Sequence, residues 1–467
     1  MNPISQRMMR AWAGLGARYL PFADAATADV PLQRLLRLSL FQVSAGMTLV
    51  LLVGTLNRVM IVELGVPASL VSVMLAIPLI AAPFRALIGF KSDTHRSALG
   101  WKRVPFIYKG TMVQFGGLAL MPFALLVLAR QGHAAEVPQW VGQVAAALAF
   151  LLVGTGLHIT QTVGLALATD LTPPEKQPNV VGLMYVAMLV GSIVSALIFG
   201  ALLADFTPGR LVQVIQGAGV ATVVLNGIAV WKQEARGQTK PRHAAAPDPT
   251  FQQSWASFMA GDRALARLVA VGVGTLAFSM QDVMLEPYGG QILGLAVSRT
   301  TLLTAAMAGG GLIGFSLASY VLSRGFDAFR MASLGAMLGV PAFVMIILAA
   351  PLLSPVLFGF GTFLIGFGAG LFGHGTLTAT MNHAPEDQRG LALGAWGAVQ
   401  ATAAGIGVAL GGVIRDTLSA LEGGSRLTPY LAVYMLEVIL LIAAIVTMNA
   451  LIKSPAGAAP SHTAHIR

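Results

Sequence analysis

The sequence predicts an all-α integral membrane protein with twelve transmembrane helices arranged as two six-helix halves. Three observations carry that expectation. Of 467 residues, 56% are hydrophobic and only 10% charged, whereas a soluble domain carries about 25% charged residues. Apolar windows of about 20 residues, the length that crosses a hydrocarbon core of about 30 Å, recur twelve times. The lysines and arginines collect on alternate connections, as topology requires.

The first six windows lie near 38–62, 67–90, 104–129, 140–168, 179–203 and 210–231. Six more follow near 266–291, 300–322, 329–350, 354–379, 390–414 and 429–452. Between the two sets runs 232–265, polar and rich in Gln, Pro and small residues, which reads as a flexible linker. Within it Trp255, Phe258 and Met259 are expected to form a short interfacial helix. The expected organisation is thus a cytoplasmic segment 1–37, a half at 38–231, the linker, a half at 266–452 and a cytoplasmic tail at 453–467.

With the N-terminus inside, 23 of the 29 Lys and Arg residues fall on the cytoplasmic side. Arg58, Arg130, Arg210, Arg299, Arg415 and Arg426 make up the remainder. That bias places both termini in the cytoplasm. It also explains the net charge of +10 without nucleic acid; lipid is the expected surrounding partner. Cysteine is absent, which excludes disulfide and thiolate chemistry. The first 37 residues hold five arginines but no short apolar core, so no cleavable signal peptide is expected. No GxxxxGK[ST] phosphate loop and no HExxH pattern occurs, and no motif supports an enzyme acting within the membrane.

The halves repeat one another weakly. Ala168-Thr169 followed by Pro174-Glu175 matches Ala379-Thr380 followed by Pro385-Glu386 at an offset of 211. Val59-Met60 ahead of Glu63 matches Val283-Met284 ahead of Glu286 more loosely, the glutamate being displaced by one. Such repetition marks duplicated transporter folds. After the second window, Gly89-Phe-Lys-Ser-Asp93-Thr-His-Arg96 leads to Gly100-Trp-Lys102-Arg103. This resembles the loop signature of the major facilitator superfamily, with extra residues between Asp93 and Gly100. The glycine lets helix ends approach, and the aspartate can accept from a neighbouring helix N-terminus. The equivalent loop of the second half, Ser323-Arg-Gly-Phe-Asp327, is degenerate.

Longer stretches narrow the resemblance. They are Leu20-Pro-Phe-Ala-Asp24, Gly54-Thr-Leu-Asn57-Arg58-Val-Met-Ile-Val-Glu63, Ala82-Pro-Phe-Arg85, and Phe278-Ser-Met-Gln281-Asp282-Val-Met-Leu-Glu286-Pro-Tyr-Gly-Gly290. On these motifs, across 20–452, the chain resembles the PucC/LhaA family of photosynthetic bacteria, also called the bacteriochlorophyll delivery family. The resemblance implies an assembly factor for light-harvesting antenna complexes in the bacterial inner, photosynthetic intracytoplasmic membrane. It implies bacteriochlorophyll or a related tetrapyrrole as cofactor. Antenna polypeptides and the reaction centre–antenna core complex are the implied partners. A conventional secondary transporter of a small solute or tetrapyrrole precursor is the alternative; it would call for a charged central cavity and intact loop signatures in both halves.

Ionisable groups inside a bilayer cost about 2.5–3.5 kcal/mol each on insertion scales, so each needs a reason. Asn57, Arg58 and Glu63 at the outward end of the first helix read as a snorkelling interfacial pair or as part of a cavity mouth. Asp282 and Glu286, four apart beside Gln281, should share one helical face. They repel unless a proton or cation separates them or Arg58 joins them, and a gate, proton site or pigment contact would use such a pair. Pro287 and Gly289-Gly290 are expected to interrupt that helix just beyond. Glu437, alone in the last helix, is expected to be protonated and hydrogen-bonded, or to face an internal cavity. His158 and His374, among glycines that leave room for a flat macrocycle, are candidate axial ligands to a tetrapyrrole. Each is equally readable as a histidine hydrogen-bonded between helices.

Overall fold

A computed structural model describes residues 29–80, 101–130, 132–173, 176–234, 263–382, 389–422 and 425–452, with isolated positions at 26, 27, 88, 92, 256 and 259. Among these there is no strand. The helices are α1 (Leu32–Glu63), α2 (Ala68–Ile80), α3 (Val104–Leu128), α4 (Gln139–Asp170), α5 (Gln177–Leu202) and α6 (Pro208–Val230). The second half supplies α7 (Ala264–Gln291), α8 (Val297–Leu322), α9 (Ala328–Ala349), α10 (Pro355–Asn382), α11 (Arg389–Glu422) and α12 (Thr428–Ile452). Eleven of the described helices are long and apolar enough to cross a membrane. The exception, α2, meets residues 81–87, which lie outside the described residues, as do most of the linker and the tail.

The windows read from hydropathy match the helices closely, with two exceptions. Helix α1 begins at Leu32 rather than 38, and α11 runs to Glu422 rather than 414. Both extensions carry polar residues beyond the apolar window, where a helix protrudes from the hydrocarbon and hydropathy loses it.

Helices α1 and α7 occupy the centre. Their most apolar windows are 83% and 72% buried by protein, and no other spanning helix exceeds 56%. Around them the exposed face is apolar, with Val144, Leu148, Leu197, Ile198 and Val220 directed outward, as lipid requires. Exposed Trp140, Trp231, Tyr108 and Tyr320 sit near helix ends, where amphipathic rings prefer the membrane–water boundary. Packing between halves runs through α2 against α11 and α5 against α8.

Glycine sets the closeness of the tightest pair. At Gly310 of α8, an added methyl group would strike the Phe363 carbonyl of α10; at Gly366, it would strike the Met307 carbonyl of α8. Backbones this close leave no room for any Cβ.

The two central helices are not regular. Helix α1 widens into π-type turns at Val50–Leu56 and Val59–Glu63, a distortion common at functional sites. Helix α7 is α-helical over Ala264–Ser279, tightens to a 3-10 turn at Met280–Val283, and resumes at Leu285–Gln291. The interruption therefore lies before Pro287, not after it as the sequence suggested. Pro287 sits in the first turn of the resumed segment, where proline is tolerated. Glycines 289 and 290 lie inside helix, against Phe358 and the Arg58 guanidinium.

Candidate functional site

Between the halves lies a cavity of about 410 Å³, walled by α1, α5, α7, α8, α10 and α11. Its walls come from Leu49 to Val53, Tyr185 to Ser192, Thr275 to Asp282, Thr304 to Phe315, Ile365 to Leu377, and Trp396 with Gln400. On α11 these are early turns and on α10 middle to late ones, while on α1, α5, α7 and α8 they are mid-helix. The space therefore lies at mid-bundle and extends along α10 and α11 toward the end that holds the chain termini.

The opposite end is closed by bonds between the halves. Asn57 Nδ2 donates to the Val283 carbonyl at 3.2 Å and lies 3.5 Å from that of Asp282. Thr55 and Thr301 hydroxyls meet at 3.4 Å. Arg58 donates to the Leu295 carbonyl at 2.9 Å, and the Ser69 amide donates to Asp416 at 2.7 Å. Asp416 also holds Arg415 at 2.7 Å, and Arg415 donates to Gln291 at 2.9 Å. Gln291 in turn accepts from Tyr430 at 2.8 Å.

The proline after the 3-10 turn explains why Asn57 matters. Four residues past the turn's end stands Pro287, which has no N–H to offer the Val283 carbonyl, and the Asn57 amide donates there from α1. The polar set on the first helix is thus part of an interhelical closure. Arg58 is not a snorkelling interfacial residue: its side chain is 5% exposed and pairs with Glu63 at 2.6 Å, while Glu63 is 38% exposed.

Asp282 and Glu286 do not share a site. The change of helical winding turns Asp282 into the cavity wall, where the Gln281 amide donates to it. Glu286 instead faces α8 and α1, accepting from Thr304 at 2.6 Å beside Gly54. Arg58 stands near enough to attract Glu286, but its hydrogen bonds go to Glu63 and Leu295. Glu437 on α12 is fully buried. Its carboxyl faces the backbone N–H of Gln281, without a complete hydrogen bond to either oxygen.

Neither candidate histidine lines the cavity. His374 belongs to α10, a wall helix, and packs on Phe315 with ring centroids 4.3 Å apart. His158 is buried on α4, which contributes no wall residue. Of the loop signature, Gly89, Asp93, Arg96 and Gly100 lie outside the described residues. Lys102 is exposed, and Arg103 is buried, pairing with Asp170 at 2.9 Å and with Ser92 at 2.5 Å. The α3 N-terminus is capped from elsewhere: the Glu234 carboxylate accepts from the amides of Lys102, Arg103 and Val104 at 2.7–3.1 Å.

Sequence reading missed most of the wall, including Tyr185, Met188, Met307, Phe315 and Trp396. Only Gln400, a lone amide one turn beyond Trp396 in an apolar helix, carried a signal. Wall residues otherwise resemble lipid-facing ones, because both are apolar. Among the wall residues Asp282 is the single carboxylate, and no lysine, arginine or histidine joins it.

A family profile described as PUCC protein matches residues 55–456. The chain belongs to the PUCC family. Protein PucC of Rhodovulum sulfidophilum is 61% identical over 436 residues, covering 92% of this chain and 96% of its own. Protein PucC of Rhodobacter capsulatus is 59% identical over 442 residues, covering 93% and 96%. A more distant relative, the bacteriochlorophyll synthase 44.5 kDa chain of Rhodobacter capsulatus, is 29% identical over 400 residues, covering 82% and 88%. Among solved structures, a bacterial homologue of the lysosomal transporter Spinster matches with a TM-score of 0.67 at 14% identity, covering 91% of this PUCC chain and 98% of that one. The fold is that of the major facilitator transporters.

Proposed function

We propose that this PUCC-family membrane protein is an assembly factor for bacterial light-harvesting antenna complexes. It holds bacteriochlorophyll or a related tetrapyrrole between its halves and passes it to antenna polypeptides, themselves or with the reaction centre–antenna core complex, within the photosynthetic membrane. The 23 of 29 basic residues assigned to one side support cytoplasmic termini, and the cavity then faces the cytoplasm. The reading carries no catalytic step.

The apolar character of the cavity carries the proposal. A pocket of about 300–1,000 Å³ with few polar groups suits a largely apolar ligand, and this one has about 410 Å³ with a single carboxylate. One wall is lined by Gly311, Gly366, Gly370 and Gly373. Gly366 and Gly370 are pressed against the α8 backbone, whereas a Cβ at Gly373 would enter open space, leaving a slot there for the edge of a macrocycle. Phe278, Phe372 and Trp396 would hold its faces. A magnesium tetrapyrrole would supply light absorption when bound, though no histidine stands among the wall residues to hold its metal. Of the two candidate histidines, His374 is the one on a wall helix. The name of the 29% identical relative links that protein to bacteriochlorophyll.

Purification from photosynthetic membranes in mild detergent, followed by an absorption spectrum and peptide identification, tests the reading. Pigment bands or antenna polypeptides are expected with the protein; a colourless preparation free of both would overturn it. Gly373→Leu should fill the slot without strain, since leucine favours helix over glycine. Bound pigment is expected to fall at least tenfold while the elution profile stays unchanged.

A further inference from the structure

We propose that Glu437 is a proton-binding site, loaded from the central cavity by way of Asp282 across Gln281. This goes beyond pigment handling and does not depend on it.

Helix α12 packs on the 3-10 turn of α7, and buried acceptors there lack partners. Glu437 is fully buried and both its carboxyl oxygens lack a hydrogen-bond partner. Gln281, 1% exposed, has its amide oxygen in the same condition. Gln281 touches both acids: its backbone N–H faces Glu437, and its side-chain amide donates to Asp282. The two carboxyl groups are near enough to repel. A buried charge left without a partner is too costly to persist. One added proton neutralises Glu437 and turns one of its acceptors into a donor.

Among the described residues the surrounding helices offer no alternative charge: α9, the main neighbour of α12, carries only Arg330, exposed in its first turn. Arg58 on α1 gives its hydrogen bonds to Glu63 and Leu295, and Arg415 on α11 to Asp416 and Gln291. The described part of α2 holds no titratable residue. On α7 itself, Glu286 is engaged by Thr304 of α8, and on α12 Tyr434 faces Glu437 with a buried hydroxyl. On α10, His374 packs on Phe315 rather than on the acids. No group of three potential metal ligands occurs among the described residues, which favours a proton over a metal ion.

Asp282 supplies the entrance, because it alone of the two lines the cavity. A proton moves from cavity water to the Asp282 carboxylate and on to Glu437; the reverse passage returns it to water. The site lies on the 3-10 turn whose Asp282 and Val283 carbonyls face Asn57. Loading it therefore acts where the halves are joined.

Infrared spectroscopy of the purified protein in nanodiscs tests this through the C=O stretch of a protonated carboxylic acid. The wild-type protein should show such a band, shifting on transfer to D2O. Glu437→Gln should abolish the component that Asp282→Asn retains. Asp282→Asn should slow its deuterium shift at least tenfold, which a merely structural aspartate would not do. A band unchanged in Glu437→Gln, or an unchanged exchange rate in Asp282→Asn, overturns the proposal. So does loss of the band when sodium chloride replaces choline chloride at constant pH, since a cation would then occupy the site. Should Glu437→Gln fail to fold, the exchange rate of Asp282→Asn alone decides, because asparagine keeps the shape of the side chain.

Discussion

Arg58 shows how a residue's surroundings override its type. Arginine near a helix end usually reaches for water, yet here the guanidinium turns inward to Glu63 and to the Leu295 carbonyl. The two ends of that pair are unequal. Removing one partner of a buried ion pair costs about 3–5 kcal/mol, chiefly by stranding the other. Glu63→Gln keeps an oxygen that accepts from Arg58 at a position 38% exposed to water, and Glu286 still attracts the guanidinium, so it should cost under about 1 kcal/mol. Arg58→Gln leaves Leu295 without its donor and should cost about 1–3 kcal/mol more. Thermal unfolding of the two variants in detergent checks the order; equal losses would show that the carbonyl contact contributes nothing. Sequence gave the residue types but not this asymmetry, because Leu295 lies 237 positions away and contributes only its backbone. Glu437 was readable as an isolated carboxylate; that Gln281 stands against it was not.

At the scale of helices, hydropathy located nearly every segment, because bilayer thickness fixes the length of an apolar run. It failed where winding changes. Nothing in Met280–Val283 announces a 3-10 turn, and Pro287 and Gly289-Gly290 drew attention to the wrong place by a turn of helix. The proline leaves the Val283 carbonyl, four residues earlier, without a helical donor, and Asn57 on another helix supplies one. Helix pairing carries its own test. Gly310 of α8 lies against the α10 backbone, whereas Gly359 of α10 has open space where a Cβ would stand. Gly310→Leu should force α8 and α10 apart and cut folded yield at least tenfold. Gly359→Ala should leave it unchanged or raise it slightly, by the roughly 1 kcal/mol helix preference of alanine over glycine. Yield after size-exclusion chromatography distinguishes them.

For the whole molecule, the bonds between the two halves among the described residues gather at one end, beyond the cavity. The seam can be probed directly because the chain has no cysteine of its own. Thr55 and Thr301 hydroxyls are 3.4 Å apart across it, close to what a disulfide needs. Thr55→Cys with Thr301→Cys should cross-link under mild oxidation in membranes. After protease cleavage within 232–265, the halves should then stay joined on a non-reducing gel. Separation under those conditions would mean that the seam is open in the membrane. The loop signature could not have shown which end closes, since the bonds that close it come from distant positions. Asn57 adds a consequence of its own. When the seam parts, the carbonyls it covers on α7 must find another donor, and hydrocarbon has none. Water must therefore advance as the helices retreat, so opening is a wetting event. Deuterium uptake by the amides of Met284 and Leu285 should rise together with any loss of the seam.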